Sequence, residues 1–479
     1  MLLLVQRGLQ IAGGVMFAAI VPRMMGPETY GRYSLITTLA VLLALLSSLG
    51  LTNSIGRFVP QFVHRGERAE LQRFVGGLLT LRLLTAAGAA VLYLGITLVW
   101  LPDVDVVVLR IMAAALFLQG LSQYAFSLFL GFDEPGRWAA ENSLRRWVSL
   151  ALVVPAFSVG GLRAAGAALL ATEVVLLAIG LRWSRVRLSF RDLAFRPASY
   201  APYLRFALLF FANQALFTAF QGSGEPLVRL VTGDYTEVSY FALANNVYLA
   251  AAGTLSQVPL ALVPGLSRLI ATDAAGDVTR RVDRLLTGLT IASMTALFSA
   301  LFFADVVVVR VIGPAYASAA LNLPVLMGAL AALAVSSVSV ALAIVHDRPA
   351  TALRASVIRL LLFWTVGPPL VVWWGGSGGA CIAVVAACCV HAAASAWDMR
   401  DVLRPALRSA ALAAALSAVF VPLVYLKASV GVDVVLFALF ATGYAALLFW
   451  SGVLTRDDVR ALRGMAWRPD AAVSTGGDG

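Results

Sequence analysis

Residues 26–33 read Gly26-Pro-Glu-Thr-Tyr-Gly-Arg-Tyr33, and an offset of 207 residues leads to a related segment, Gly233-Asp-Tyr-Thr-Glu-Val-Ser-Tyr240. Both segments place a glycine seven residues ahead of a tyrosine. A longer match at an offset of 213 needs no gap, and it pairs Glu134 with Asp347, Ser143 with Ser356, Arg146 with Arg359, Pro155 with Pro368 and Gly166 with Gly379. Because a few inserted loop residues account for the difference between the offsets, the sequence predicts two copies of one unit.

Apolar runs of about 20 residues flank these segments, and a helix of that length spans a hydrocarbon core about 30 Å thick. The runs lie at residues 3–22, 33–55, 74–99, 106–130, 138–158, 162–181, 202–221, 238–264, 285–304, 317–345, 350–373, 379–397, 407–426 and 433–454. The connections between them are too short to hold a soluble domain. The sequence therefore predicts an all-α integral membrane protein with about 14 transmembrane helices.

The composition excludes a water-soluble protein. The 479 residues are 60% hydrophobic and 13% charged, with a mean hydropathy of +0.87, whereas a soluble domain is about 25% charged and about 45–50% apolar. The net charge of +11 comes from 36 basic and 25 acidic residues, and Lys427 is the sole lysine. The arginines lie in short loops between apolar runs, which indicates membrane topology, because a nucleic-acid binder gathers its basic residues on one soluble face.

The loop arginines also predict the orientation of the chain, because cytoplasmic loops of membrane proteins retain positive charge. The N-terminus, the even-numbered loops and the C-terminal tail carry 24 of the 36 basic residues. The odd-numbered loops carry six of them: Arg23, Arg32, Arg163, Arg229, Arg310 and Lys427. The acidic residues of those loops include Asp103, Asp105, Glu225 and Asp234. This bias predicts that both termini are cytoplasmic.

Each copy of the repeat contains six apolar runs, an even number, so the two copies share one orientation in the membrane. Parallel repeats of this kind are a transporter architecture in which the substrate site lies at the interface between the halves. The predicted domains are an N-terminal lobe at 1–199 and a pseudo-symmetric C-terminal lobe at 200–400 around a central cavity. Two extra helices at 401–455 and a partly disordered cytoplasmic tail at 456–479 follow.

Two strings near the N-terminus carry a family resemblance. They are Pro22-Arg-Met-Met-Gly-Pro-Glu-Thr-Tyr-Gly-Arg-Tyr33 and Leu49-Gly-Leu-Thr-Asn-Ser-Ile-Gly-Arg-Phe-Val-Pro60. This opening resembles that of the polysaccharide flippases of the multidrug, oligosaccharidyl-lipid and polysaccharide exporter superfamily. The resemblance implies that the chain moves an undecaprenyl-diphosphate-linked oligosaccharide across the bacterial cytoplasmic (inner) membrane. The cavity between the lobes would open alternately to each side, in the biosynthesis of O-antigen, capsule or exopolysaccharide.

The same resemblance sets the expected partners. They are the lipid-linked oligosaccharide, the membrane lipids, and the polymerase and glycosyltransferases of the same pathway. We expect no nucleic acid, no cofactor and no metal. We also expect no enzymatic activity, although Asp103-Val-Asp105 has the spacing of a metal-binding Asp-x-Asp motif. The predicted topology places that motif in a short external turn, away from cytoplasmic nucleotide sugars.

Arginines within the apolar runs are the main candidate substrate site. A charge at the bilayer centre costs about 2.5–3.5 kcal/mol, so such a residue faces a cavity or a partner. Arg82, Arg146 and Arg359 lie too deep to reach the interface easily, and Arg146 and Arg359 are matched by the repeat. Arginine matches phosphate oxygens in bidentate geometry. We predict that these three, with Arg145, line the cavity and hold the pyrophosphate of the carrier.

An alternative for these arginines is an intramembrane ion pair. Glu141 lies four residues before Arg145 on the same helical face and is placed to neutralise it. Glu173 is a second buried candidate partner for one of the arginines. The same two carboxylates are the candidates for proton or sodium coupling, because they are the main acidic residues inside the apolar runs. The sequence does not decide between ion pairing and ion coupling for these carboxylates. It also does not reveal the source of energy for transport.

Amide side chains form a second candidate set, at Asn213 and Gln214 in one apolar run and at Asn245 and Asn246 in the next. Amide hydrogen bonds and aromatic faces bind sugars, and several phenylalanines and tyrosines share these two runs. The alternative is structural, since interhelical hydrogen bonds of about 0.6 kcal/mol each are common in helix bundles.

Two other transport functions remain open. A multidrug antiporter of the same superfamily would need a titratable carboxylate within the membrane to couple cations, and the deep arginines outnumber the deep carboxylates here. The other alternative is a flippase of the peptidoglycan precursor lipid II, whose carrier also bears a diphosphate. Translocation assays with defined substrates separate the three functions.

Overall fold

The structure is a computed structural model, and it describes residues 2–184, 197–271, 275–346 and 348–455. The predicted tail at 456–479 lies outside the described residues, as does Asp347, which the repeat pairs with Glu134. Further residues inside α1, α7 and α9 have side chains that the structure does not describe.

The described chain is entirely helical, and this confirms the all-α prediction. Ten of the 14 predicted apolar runs each fall within one helix. The runs 33–55 and 407–426 continue across a break between two helices, and the runs 317–345 and 433–454 extend past one end of their helix by two to four residues. The helices are α1 (Leu2–Met25), α2 (Pro27–Ser48), α3 (Leu51–Arg65), α4 (Arg68–Trp100), α5 (Val106–Gly131), α6 (Pro135–Trp183), α7 (Pro197–Gln221), α8 (Gly224–Thr232), α9 (Tyr235–Ala271), α10 (Ala275–Asp305), α11 (Ala319–Val345), α12 (Pro349–Trp373), α13 (Gly376–Asp398), α14 (Arg400–Ala418), α15 (Val421–Val424) and α16 (Val430–Trp450). A π-helix at Val306–Ile312 and a 3₁₀ turn at Pro314–Tyr316 join α10 to α11.

Within the described residues, nine helices are long and apolar enough to cross a membrane by length and composition alone. The longest continuous element is α6, and it holds two of the predicted runs, 138–158 and 162–181. A straight helix of its 49 residues would be about 73 Å long, more than twice the hydrocarbon core. The element breaks at Gly160 and Gly161, where Gly161 has φ 58° and ψ −145°. α6 therefore supplies two membrane crossings.

The helix boundaries follow the repeat. The offset of 207 relates Gly26 to Gly233, and both have positive φ angles, of 73° and 69°. Gly26 directly precedes α2, and Gly233 caps the end of α8 two residues before α9 begins. The offset of 213 relates the first residue of α5, Val106, to the first residue of α11, Ala319. It also relates the break at Gly160 to Trp373, the last residue of α12. The two copies thus begin and break their helices at matching positions.

By contacts, the described residues fall into two compact units. Unit 1 comprises Met1–Ala250, Val308–Asn322 and Ser356–Ala387, and unit 2 comprises Ala251–Val307, Leu323–Ala355 and Cys388–Gly479. The lobe boundaries at residues 199 and 400 stay a prediction, because this grouping follows contacts and takes segments from both predicted lobes.

In unit 1, α5 packs along α6 and α4, while α1 packs against α6 and α2 against α4. An aromatic core joins α3, α4 and the start of α7, where the Tyr203 ring lies 4.7 Å from Phe58 and 4.9 Å from Phe74 between centroids. The hydroxyl of Tyr200 donates to the Arg73 carbonyl at 2.7 Å. These contacts fix α7 against the first helices of the chain.

In unit 2, α10 packs against α14 and α16. The rings of Phe298 in α10 and Phe440 in α16 stack at 4.1 Å, and Tyr444 extends the stack. Lys427, in the connection before α16, donates to the Leu301 carbonyl at 2.9 Å and to Asp305 at 2.8 Å. The two extra C-terminal helices are thereby attached to α10.

Turns that the arginine count assigns to the less basic side contact one another in unit 1. Arg163 forms an ion pair with Asp105. The other contacts are Arg229 with Asp103 at 3.3 Å, Tyr240 hydroxyl with the Ala315 carbonyl at 3.2 Å, Tyr316 hydroxyl with the Pro22 carbonyl at 2.8 Å, and Ser377 N–H with Glu237 at 2.7 Å. These contacts join the odd-numbered connections at one end, as an alternating membrane topology requires. We call this the Asp103 end.

Candidate functional site

Arg145 of α6 lies at the centre of a buried ion-pair network. Its Nη2 donates to Glu141 at 2.8 Å, and its Nε donates to Glu173 at 2.8 Å. A second bond of 3.2 Å to Glu173 makes that pair bidentate. Ser122 of α5 completes the network, because its hydroxyl donates to Glu173 at 2.7 Å. The ion pair predicted between Glu141 and Arg145 is present, and Glu173 binds the same arginine.

Arg82 of α4 adds a second positive charge to this region. Its side chain is 2% exposed, donates from Nε to the Gly120 carbonyl at 2.8 Å and donates from Nη2 to Gln123 at 2.9 Å. Arg82 also interacts electrostatically with Glu141. Two arginines and two carboxylates therefore form a formally neutral cluster. It connects α4, α5 and the two parts of α6 on either side of the break at Gly160 and Gly161. A cluster of this kind holds its helices together, because removing one partner leaves an uncompensated buried charge.

Arg146, the next residue of α6, is different because it is exposed. It interacts electrostatically with Tyr33 and Tyr30 of α2, and no described carboxylate forms an ion pair with it. Its Cβ lies against Gly13 of α1. A charged side chain eleven residues into an apolar helix, with an exposed surface and no described carboxylate paired to it, is a candidate for binding an anion.

Arg359 of α12, the repeat partner of Arg146, is 1% exposed. Its guanidinium carbon lies 4.3 Å from the ring centroid of Phe220 and 5.5 Å from that of Phe217, both in α7. These distances are within the range of cation–π attraction, which is worth about 2 kcal/mol when desolvated. The structure thus places Arg359 under an aromatic cover.

One residue explains why the matched arginines differ in exposure. The offset of 207 that relates Gly26 to Gly233 also relates Gly13 to Phe220. Phe220 covers Arg359, whereas Gly13 has no side chain with which to cover Arg146. The neighbouring Trp147 fills part of this space, where its indole N–H donates to the Leu9 carbonyl at 3.1 Å. The repeat has therefore kept the arginine in both copies but left only one of the two exposed.

A tyrosine cluster lies next to Arg146. Tyr30 stacks on Tyr33 at 6.5 Å between centroids and meets Tyr316 edge-on at 6.4 Å, and Tyr316 meets Tyr240 at 6.3 Å. Asn246 of α9 donates to the Tyr30 hydroxyl at 3.2 Å. Tyr30, Tyr33 and Tyr316 are buried, so in this structure their rings pack against one another, and of the described residues of the cluster only Asn246 and part of Tyr240 are accessible.

The four candidate amides have distinct surroundings. Asn246 is exposed and joined to the tyrosine cluster, while Asn245 is buried. Asn213 and Gln214 of α7 are exposed, and Gln214 donates to Thr218 of the same helix at 3.3 Å. The structure thus brings one amide, Asn246, beside the tyrosines that interact with Arg146.

The Asp103 end contains a pocket of about 610 Å³. Asp103 accepts from Arg229 at 3.3 Å and from the Tyr235 hydroxyl at 2.9 Å, and the Arg229 guanidinium lies 4.0 Å from the Tyr235 ring centroid. Desolvation, with the hydrogen bond to Asp103, raises the pKa of Tyr235 to about 12. The pKa of Asp105 lies below its ordinary value because the Val107 N–H and Arg163 donate to it. These pairs join neighbouring turns at the Asp103 end.

Glu225 is a residue whose importance the sequence did not reveal. It was assigned to an external loop, but it lies in α8 and is 5% exposed. Ser34 and Thr38 of α2 hydrogen-bond to it. The sequence feature that could have indicated its burial is the run of small residues Gly222-Ser-Gly224. The two glycines have no side chain, which allows the start of α8 to pack closely against Leu42 and Phe241.

Taken together, the described residues of unit 1 contain an exposed arginine with no carboxylate paired to it, a cluster of tyrosine rings, and a neutral charge cluster that holds the helices. Within the described residues, no three His, Cys, Asp or Glu side chains come together in a way that could hold a metal ion. This chemistry suits an anionic ligand that also carries hydroxyl groups.

Comparison with known proteins gives one family and one fold. A family model described as polysaccharide biosynthesis protein matches residues 1–270, more than half of the chain. No curated protein matches the sequence significantly. The chain is similar in structure to the lipid II flippase MurJ in an inward closed conformation, with a TM-score of 0.71 and 12% identity over 94% of this chain and 98% of that one.

The chain is also similar to multidrug resistance MATE transporters of the MOP superfamily. An inward-facing structure gives a TM-score of 0.67 at 14% identity over 83% of this chain and 95% of that one. An outward-facing structure gives 0.55 at 14% identity over 84% and 96%. At these identities the similarity establishes the fold alone. The fold is that of a multi-pass membrane transporter.

Proposed function

Because the chain belongs to the polysaccharide biosynthesis protein family, we propose that it flips an undecaprenyl-diphosphate-linked oligosaccharide for surface polysaccharide synthesis. The lipid would move from the cytoplasmic to the outer leaflet of the bacterial inner membrane by alternating access between two six-helix lobes. Both termini would be cytoplasmic, and the protein would act without enzymatic chemistry, handing its cargo to the polymerase of the same pathway.

The observation that carries this proposal is Arg146. Keeping an exposed arginine inside an apolar helix costs about 2.5–3.5 kcal/mol without a partner. No described carboxylate forms an ion pair with Arg146, whereas Arg145 binds two. A diphosphate would supply the missing negative charge, and a guanidinium binds its oxygens in bidentate geometry.

The other three arginines support the site in different ways. Arg82 and Arg145 hold α4, α5 and α6 in place through the neutral cluster, so we assign them to positioning Arg146. Arg359 is the second candidate phosphate ligand, and Phe220 would have to move before a ligand could reach it. Such a movement is consistent with an alternating-access cycle, in which the two copies bind the ligand at different stages.

The sugars would contact the tyrosine cluster and the amides. Asn246 is exposed and donates to the Tyr30 hydroxyl, so it would meet the first sugar residues while Arg146 holds the diphosphate. Tyr30 and Tyr33 are buried and would contact a sugar only after α2 moves. Asn213, Gln214 and Asn245 are further candidate contacts along α7 and α9. Contacts of this kind are individually weak, so they would select the glycan by their combined shape.

The deciding experiment measures translocation in proteoliposomes that contain a radiolabelled undecaprenyl diphosphate oligosaccharide. Arg146→Ala should lower the initial rate roughly 10- to 100-fold, because a charge-assisted hydrogen bond is worth about 1.5–3 kcal/mol. Arg146→Lys keeps the positive charge but loses the bidentate geometry of the guanidinium. Its translocation rate should therefore lie between those of the unmodified protein and Arg146→Ala. The matched control is Arg137→Ala on the same helix, whose exposed side chain forms an ion pair with Glu134 and lies over the Phe129 ring.

The alternatives are tested in the same vesicles. Equal rates for the unmodified protein and Arg146→Ala would remove Arg146 from the substrate site. Transport of lipid II in preference to other lipid-linked glycans would identify a peptidoglycan-precursor flippase. Exchange of a cationic dye for protons, with no movement of any lipid-linked glycan, would identify a multidrug antiporter. Glu141 and Glu173 argue against the antiporter, because Arg145 and Arg82 together already balance the charge of both candidate cation ligands.

A further inference from the structure

Glu225 is a buried carboxyl for which the described residues supply no cation. Its residue is 5% exposed, and Ser34 and Thr38 hydrogen-bond to it. Its Oε2 is buried and has no hydrogen-bond partner among the described atoms. The buried carboxyls of α6 differ, since Arg145 binds both Glu141 and Glu173 at 2.8 Å.

The described elements packed around Glu225 are α2, α9 and α12. On α2, Tyr30 is the titratable group that interacts with it, beside the hydroxyls of Ser34 and Thr38. α9 contributes the ring of Phe241 against Gly224. On α12, the indole of Trp364 donates to Ser223 at 3.2 Å, and Gly367 lies against Leu227. These described neighbours are polar or apolar but uncharged.

The free energies favour a neutral carboxyl. A negative charge in the first turn of α8 gains only a small stabilisation from the helix dipole. Burying an unpaired ion costs more than this gain. Burial raises the pKa of Glu225 from 4.5 to about 7, while the bonds from Ser34 and Thr38 lower it by less. Arg229 of the same helix contacts Asp103 at 3.3 Å, so α8 lies at the Asp103 end, and protons from that face can reach Glu225 when α8 moves.

We propose that Glu225 is a proton-binding site in the contact between α8 and α2, occupied when α8 lies on α2 and emptied when α8 leaves. The charged carboxylate is stable only in water, so losing the proton drives α8 away from Ser34 and Thr38. Tyr30 connects this site to the proposed substrate site, because it interacts electrostatically with both Glu225 and Arg146. The inference goes beyond the proposed function, since docking of α8 on α2 requires no substrate.

The experiment measures the distance between α2 and α8 as a function of pH in the purified full chain. Nitroxide labels would be attached at Val41 and Leu230, which are 52% and 60% exposed, after the three native cysteines are replaced by alanine. In the labelled protein that keeps Glu225, the distance between the two nitroxides should be short at pH 5 and longer at pH 8, with the midpoint of the change near pH 7. Glu225→Gln mimics the protonated form and should keep the short distance throughout.

Glu28→Gln is the matched control, because Glu28 is exposed at the same end and pairs with Arg32. It should retain the full pH response. A pH-independent distance in the unmodified protein would overturn the proposal, as would an unchanged response in Glu225→Gln. A response to sodium at constant pH, with none to protons, would also overturn it. The distance measurement uses no substrate, so its result does not depend on the outcome of the translocation assay.

Discussion

Replacing Arg145 with methionine should be among the most destabilising single changes in unit 1. Arg145→Met removes two bonds to Glu173, of 2.8 and 3.2 Å, and one of 2.8 Å to Glu141. Both carboxylates then remain inside the helix bundle, where each residue is 6% exposed. Removing one partner from a buried ion pair costs about 3–5 kcal/mol, because the remaining charge is uncompensated.

The expected loss can be converted to a melting temperature. The entropy of unfolding is about 2.1 cal/mol/K per residue. For a chain of 479 residues that unfolds in one step, the free energy of unfolding therefore changes by about 1 kcal/mol for each degree near the Tm. The Tm of Arg145→Met in detergent should therefore fall by roughly 3–5 °C, and further if unit 1 unfolds separately. Thermal unfolding followed by circular dichroism gives the measurement.

Two variants make this reasoning refutable. The triple variant Glu141→Gln, Arg145→Met, Glu173→Gln removes every charge of the pair network and should recover most of the lost stability, because a well-packed neutral replacement of a buried ion pair is often tolerated. Arg137→Ala, which removes an exposed ion pair of the same helix, should cost at most about 1 kcal/mol. A Tm for Arg145→Met within 1 °C of the unmodified protein would refute the argument, as would a triple variant no more stable than the single one.

Three further results are expected. Gly13→Phe places a ring beside the exposed arginine of α6, so it should lower translocation several-fold, whereas Gly14→Phe, whose Cβ would meet no other atom within 4 Å, should not. Gly31→Val would press a side chain into the first carbonyl of α9, and overpacking of this kind should lower stability by about 1–3 kcal/mol in a thermal unfolding experiment. Phe220→Ala removes the aromatic cover of Arg359, so phenylglyoxal should modify that arginine faster, as mass spectrometry of the labelled peptide would show.

Much of the fold was predictable because a membrane imposes simple rules. Each apolar run had to be a helix, since backbone groups in lipid must be satisfied within the segment. The repeat was predictable as well, because matched glycines such as Gly26 and Gly233 mark the start of matched helices. The break at Gly160 and Gly161 was predictable as a boundary between two runs, although the structure joins both runs in one element.

The candidate site was predictable in residue type but less so in partner. The ion pair between Glu141 and Arg145 follows from a spacing of four residues on one helix, which is a local property. The bond between Arg145 and Glu173 spans the break in α6, so no local pattern contains it. The different exposure of Arg146 and Arg359 depends on what lies opposite each in another helix, namely Gly13 and Phe220.

The sequence alone determined that this chain is an all-helical membrane protein built from a duplicated unit, because hydropathy, loop charge and repeat spacing are properties of the chain itself. Tertiary structure decided which charges are neutralised and which are available. Arg145 and Arg146 are neighbours in the sequence, yet one is bound by two carboxylates and the other is exposed. The reason is physical: consecutive residues of a helix point about 100° apart and meet different neighbouring helices. Glu225 became recognisable as a buried acid in the same way, only once α8 was seen to lie on α2.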